Sequence, residues 1–186
     1  YASMSVGGGE SAFERALQAA SELPGVAKIA VFGTENTPRG KTWEVISRPE
    51  WTAAGLLAAL DSCCEGFDDV FFYHADCPLL DTSLSGRMYA DHREYFAEYT
   101  FADGYPVGLT PEILKSKILK PLLHLAGGDP SRITRDTLFR IIQRDINAFD
   151  IETKISPVDL RLLRVSLTCD TRRNRLLVER IIDAGG

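Results

Sequence analysis

The sequence predicts an α/β layered fold with a mainly parallel sheet, and three observations lead there. Short β-branched or aromatic runs alternate along the chain with longer stretches of helical period, the pattern of βαβ units. One run, Val70-Phe71-Phe72-Tyr73, is apolar at every position, as expected of a strand buried on both faces in the middle of a sheet. That run leads to Asp76, and Pro78 beyond it cannot donate a ladder hydrogen bond, so the strand ends there. A carboxylate is thereby set at the carboxyl end of a central strand, the edge where open α/β sheets bind ligands.

The elements follow in order. Phe13, Ala16, Leu17, Ala20 and Leu23 recur at helical spacing and predict a helix over 10–23, ended by Pro24-Gly25. Ahead of it, Gly7-Gly8-Gly9 could cradle phosphate at a helix N-terminus, but it lacks the Gly-Lys-Ser/Thr of a P-loop and reads first as a flexible connector. Val26 to Phe32 is a strand, Gly33 to Lys41 a polar surface loop, and Trp43 to Ser47 a short second strand. Thr52 to Cys64 is a helix with Thr52 as N-cap and Gly66 as its stop. After the Asp76 strand, Thr82 caps a helix to about Tyr95, and Ala97 to Phe101 is a strand closed by the Ala102–Pro106 turn.

Thr110-Pro111-Glu112 reads as a helix start, with Ile113, Leu114 and Ile118 on one face and Pro121 as an interruption. A loop at Gly127–Pro130 precedes a helix opened by Thr134. Asn147 to Lys154 and Leu162 to Cys169 read as strands, and the last helix spans about Thr171 to Ala184. No repeat or internal boundary interrupts the 186 residues, so one domain is expected, free-standing or as a fragment of a longer chain.

Composition narrows the function classes. The chain is 45% hydrophobic and 25% charged, with a net charge of −5 and a pI near 5.3. That acidic balance argues against a nucleic-acid partner. No apolar run is long enough to span a membrane, and no signal peptide is evident. Cys63, Cys64, Cys77 and Cys169 have no zinc-like spacing and suit a reducing cytoplasm, as small buried apolar residues.

Two aspartates carry the candidate chemistry. Asp76 follows one apolar strand and Asp170 another, Val165 to Cys169. If the strands are neighbours, the carboxylates form a hard-oxygen site for Mg²⁺ or Mn²⁺ bridging substrate phosphates. The simpler alternative is that Asp170 caps the last helix. His74, beside Asp76, could reach the ligand edge or be a satisfied strand-end histidine. His92 and His124 form no triad or metal spacing with it.

Ala75-Asp76-Cys77-Pro78-Leu79 resembles the Gly-Asp-x-Pro-Leu motif of sugar nucleotidyltransferases of the cytidylyltransferase-like group, which includes CMP-sugar synthetases and spore-coat SpsF-type proteins. Leu167 to Thr171 resembles their Thr-Val-Asp-Thr segment, and Thr100 to Gly104 the Phe-Pro-Asp-Gly turn. Ser131-Arg132-Ile133-Thr134 sits where they carry Glu-His-Val-Thr. The Tyr73–Asp81 wording is also similar to domains that precede a radical-SAM module with a SPASM-type tail.

The resemblance implies a GT-A-like, Rossmann-type three-layer α/β/α sandwich with a mixed, mostly parallel sheet. It implies transfer of a nucleotidyl group, CMP first among them, from a nucleoside triphosphate to a sugar or sugar phosphate. Asp76 and Asp170 would hold Mg²⁺ (or Mn²⁺). Gly8, Gly9, Arg39, His74, Asp103, Gly104 and Arg172 would surround nucleotide and substrate. The chain departs from the family where Gly7-Gly8-Gly9 carries no Arg or Lys, and where Arg172-Arg173-Asn174 replaces Pro-Glu-Asp. A catalytically degenerate nucleotide-binding or docking module of a larger protein, meeting the other domains of that chain, is therefore the competing expectation.

Overall fold

The computed structural model describes residues 3–7 and 9–185. In chain order these form α1 (Ala12–Glu22), β1 (Ala30–Gly33), β2 (Glu44–Ser47), α2 (Ala53–Cys63), β3 (Asp69–Phe72), α3 (Thr82–Glu94), β4 (Tyr99–Asp103), β5 (Glu112–Lys115), α4 (Leu119–Ala126), α5 (Thr137–Ile142), β6 (Ile151–Ile155) and α6 (Arg172–Asp183). Single 3₁₀ turns lie at Ser116–Ile118 and Arg161–Leu163, and a longer 3₁₀ stretch at Gln143–Ala148.

The strands form two sheets. β1 pairs with β2 in parallel, from Ala30 opposite Glu44 to Gly33 opposite Ser47. The other four run in the order β3-β5-β4-β6. β5 is antiparallel to both β3 and β4, while β4 and β6 are parallel. The expected mixed sheet is thus present, with β5 as its reversed strand.

Side-chain alternation sorts the helices onto two faces. Val70 and Phe72 of β3 pack with α2 (Leu56, Leu57, Leu60) and α4 (Leu119, Leu122) in the largest core. Phe71, with Tyr73 just beyond the strand, packs with Ala19 and Leu23 at α1. Successive residues of a strand point to opposite faces, so α1 and α2 lie on opposite sides of β3. Local signals fix the helix ends. Ser11 accepts from the Glu14 N–H at 3.2 Å while Glu14 Oε2 accepts from the Ser11 N–H at 2.7 Å, a capping box. Thr52 and Thr171 cap α2 and α6, and Gly127, at φ 56°, ends α4 in the left-handed region.

Several expectations are corrected. Residues 112–115 are strand β5, not the opening of a helix. Ile113 and Leu114 are wholly buried, and pairing on both edges decides a four-residue run whose period is ambiguous. The helix begins only at Leu119 and carries Pro121 in its first turn, where its missing N–H costs nothing. Residues 162–169 form no extended strand: Arg161–Leu163 is a 3₁₀ turn with Leu162 and Leu163 exposed, and Ser166 makes one bridge to Val107. The strand expected over 147–154 begins at Ile151. Asp81, not Thr82, caps α3, accepting from the Leu84 N–H at 2.8 Å. Finally, β3 is not central: among the described residues it is the edge of its sheet.

Candidate active site

Asp76 and Asp170 meet although Asp170 does not follow a strand. Beyond β3 the chain turns at His74–Cys77, where the Cys77 N–H donates to the His74 carbonyl at 3.1 Å. The Asp76 carbonyl then accepts from the Cys169 N–H at 2.8 Å, stitching the two aspartate segments together through backbone. Thr171, not Asp170, caps α6, which leaves the Asp170 carboxylate free of that task. Its Oδ1 accepts from Thr168 Oγ1 at 2.8 Å and from Asn174 Nδ2 at 2.9 Å. Burial works against the charge of Asp170, but these two donors and Arg135 outweigh it and hold the carboxyl below its usual range.

The residue that joins the pair is Arg135. Its Nη2 lies 2.6 Å from Asp76 Oδ2 and 3.4 Å from Asp170 Oδ2. The side chains grade from 17% exposed at Asp76 through 28% at Arg135 to 41% at Asp170, so the site is sheltered at Asp76 and open toward Asp170. The segment carrying Arg135 is anchored at its start. Asp129 accepts from the Ser131 N–H at 2.8 Å and pairs with Arg144, and the Ser131 carbonyl accepts from the Ala53 N–H at 3.0 Å at the start of α2.

His74 stands at the same edge with its Nε2 sealed from water and unpartnered. Burial, reinforced by Arg135 and opposed by Asp76, pushes its pKa below the ordinary histidine range, so its ring is neutral near pH 7. Val6 packs with Leu79, Cys169 and Val178. That contact brings the start of the glycine turn to this same edge, with Gly9 exposed at φ 84°. Gly8 lies outside the described residues.

Among the described residues, Asp103, Gly104, Arg39 and Arg172 make no hydrogen bond or ion pair with Asp76, Arg135 or Asp170. Asp103 accepts from the Gly104 N–H at 2.9 Å and pairs with Arg161 at 3.2 Å. Gly104, at φ 81°, is buried against Ser156 and makes the turn that a side chain would strain. Arg39 is exposed on the loop after β1, and Arg172 is exposed in the first turn of α6. Among the described residues no group of three or more His, Cys, Asp or Glu could hold a metal. Arg135 was not foreseen, and the only signal near it was the Ser131–Thr134 segment just before. Asn174 and Thr168 likewise gain meaning only once Asp170 is placed.

Among the described residues no helix is long and apolar enough to cross a membrane. The sequence signature of the MobA-like NTP transferase domain matches residues 2–143. An uncharacterized protein from Treponema pallidum is 36% identical, the match covering 55% of each chain. The chain thus spans about half the length of that curated relative. A cytidylyltransferase from Leptospira borgpetersenii superposes with a TM-score of 0.75 at 16% identity, over 96% of this chain and 78% of that one. The 2-C-methyl-D-erythritol 4-phosphate cytidylyltransferase from Thermus thermophilus does so with a TM-score of 0.70 at 13% identity, over 98% and 93%. At these identities the likeness is one of fold.

Proposed function

The chain belongs to the MobA-like NTP transferase family, and from that premise we propose that it binds a nucleoside triphosphate with Mg²⁺ at the Asp76–Asp170 edge. Onto a sugar or sugar phosphate it would transfer the nucleotidyl group, CMP first among the candidates. The observation that carries this reading is the convergence of both carboxylates on one guanidinium nitrogen. Two hard oxygen ligands fit a Mg²⁺ site, since this ion keeps several waters and takes substrate phosphates as further ligands. When bound, the ion would neutralise phosphate charge between the two aspartates.

The chain's own residues do the rest. An acceptor oxygen attacks the α-phosphorus, the bond from that phosphorus to the bridging oxygen breaks, and pyrophosphate leaves. A hydroxyl acceptor gives its proton to solvent. Such chemistry needs positioning and charge stabilisation more than a protein nucleophile. Gly7-Gly8-Gly9 lacks a cation, and Arg135 is the group suited to supply one. Released from Asp76, its fork can take two phosphate oxygens. Asp170 keeps its donors from Thr168 and Asn174 and so stays ionised and oriented. The same contact favours a second reading, a nucleotide-binding module without turnover, in which Arg135 permanently fills the cation position.

A thermal-shift panel of CTP, UTP, GTP and ATP, with and without Mg²⁺, tests the site. Binding to the native state at a hundredfold excess over Kd adds about 2.7 kcal/mol of apparent stability. A Mg²⁺-dependent rise for one nucleotide, lost in Asp76→Asn, is expected. Pyrophosphate release with sugar phosphates then separates the two readings. A flat panel from folded protein rules out both.

A further inference from the structure

The adjacent cysteines Cys63 and Cys64 take no part in the Asp76–Asp170 edge. Successive residues of a helix point about 100° apart and do not face each other. Here the pair straddles a helix end. Cys63 is the last residue of α2, and Cys64, its C-cap, has left the helix at φ −95° and ψ 7°. The two sulfurs are thereby brought to 3.8 Å. Both are free thiols, Cys63 partly exposed and Cys64 buried. The turn that holds them is tied on both sides. The Cys64 N–H donates to the Leu60 carbonyl at 2.9 Å, and the Cys64 carbonyl accepts from the Phe67 N–H at 3.0 Å.

That separation discriminates among the things a thiol pair can do. A disulfide needs its sulfurs at about 2.0 Å, so closing one would draw this pair together by well over an ångström against those backbone hydrogen bonds. With metal–sulfur bonds of about 2.3 Å, a linear unit spans about 4.6 Å between sulfurs, and a trigonal or tetrahedral one about 3.8–4.0 Å. The pair already stands at the latter span, with no rearrangement of the turn.

We propose that Cys63 and Cys64 form a dithiolate site for a soft monovalent cation, Cu(I), with a third position left to a small external thiol. Binding releases both thiol protons to solvent and forms two metal–sulfur bonds, with no change of oxidation state. The number of ligands chooses the ion. Among the described residues no third His, Cys, Asp or Glu joins the pair. A structural Zn²⁺ asks for four closed ligands, whereas soft thiolates select Cu(I), which is satisfied by two or three. The surroundings suit the charge as well. The dithiolate complex carries one negative charge, and the Lys28 ammonium lies beside it. Lys28 donates to the Cys63 carbonyl at 3.4 Å and is held there by Glu44 at 2.9 Å. The negative end of the α2 dipole adds its own attraction for the cation.

An anaerobic titration of the reduced protein with Cu(I) held by the chelator bicinchoninate tests the site. The protein is expected to withdraw one ion per chain. Cys63→Ser should bind about a hundredfold more weakly, since the second sulfur of a chelating pair binds at high effective concentration. The remaining thiols, Cys77 and Cys169, are 2% and 0% exposed and are not expected to compete. A measurement on the unaltered protein guards against a variant that fails to fold. Maleimide labelling read by peptide mass spectrometry should find Cys63 protected once Cu(I) is loaded. An equal concentration of Zn²⁺ should leave that protection in place. The proposal is overturned if the protein withdraws no Cu(I), if Cys63→Ser binds as tightly as the parent, or if Cys63 is labelled equally with and without the ion. Displacement of Cu(I) by Zn²⁺ overturns it too.

Discussion

Arg135 holds two carboxylates that would otherwise face each other, and this makes it both a support and a competitor. As a support, it offsets the charge of Asp76 in a sheltered position. As a competitor, under the proposed Mg²⁺ reading, it stands between the two carboxylates that would hold the cation. Arg135→Met keeps most of the stem and removes the charge. The variant should bind Mn²⁺ about tenfold more tightly in the absence of nucleotide, read by electron paramagnetic resonance, a change of about 1.4 kcal/mol. It should also lose about 1–3 kcal/mol of stability for the charged partners left without their donor, and bind triphosphate more weakly. Unchanged Mn²⁺ affinity would show that the guanidinium does not stand in the cation's place. The two aspartates were legible in the sequence because each sits in a short motif. Arg135 was not, because a single arginine in a loop carries no periodic signal, and its partner lies 59 positions away.

At the scale of elements, the cap at Thr52 was legible because it acts within a few residues of chain, whereas Asp81 rather than Thr82 caps α3, Thr171 rather than Asp170 caps α6, and the helix expected to open at Thr134 begins at Thr137. Strand β5 depends on β3 and β4, whose paired residues lie 13 or more positions earlier in the chain, and Thr110-Pro111-Glu112 imitates a helix start. Pro111 instead precedes the strand, where its fixed φ is equally at home. The stretch before Asp170 failed for a related reason. Leu162 and Leu163 are apolar but exposed, and composition alone does not distinguish exposed from buried leucines. The α1 cap yields a direct test, because α1 continues directly from the glycine turn. Ser11→Ala removes the capping box and should cost about 1 kcal/mol, a fall of roughly 2–4 °C in Tm for a chain of this size. Calorimetry of the two proteins checks it, and an unchanged Tm would mean that tertiary packing alone fixes the start of α1.

For the whole molecule, the reversed strand leaves a pH signature. Glu112 opens β5 opposite Phe72, close to the edge that carries Asp76, and its Oε2 is sealed without a partner. Burial pushes its carboxyl up to about 7, opposed only in part by the neighbouring Tyr99 hydroxyl. In the unfolded chain the carboxyl titrates in the ordinary range near 4.3. Between those two values the folded protein holds a proton that the unfolded chain has released, so stability falls as pH rises through this window and levels off above about 7. The contribution is on the order of 3 kcal/mol. Carboxylates such as Asp69, Asp129 and Asp170, held below their usual range, act in the opposite sense and lose their contribution as pH falls through their folded values. Burial opposes the charge at Asp69, where Lys115 and Tyr89 outweigh it, while at Asp129 the bonds from Ser131 lead and bring it to about 2. Stability should therefore be greatest on the acidic side of neutrality. In Glu112→Gln the falling limb should vanish, because an amide binds no proton in either state. Urea midpoints taken from pH 4.5 to 8 measure this as a difference in slope, independent of the fixed cost of burying the amide. Parallel curves for the two proteins would mean that Glu112 is ionised in the folded state, with water or a cation reaching its carboxylate at the same edge as Asp76.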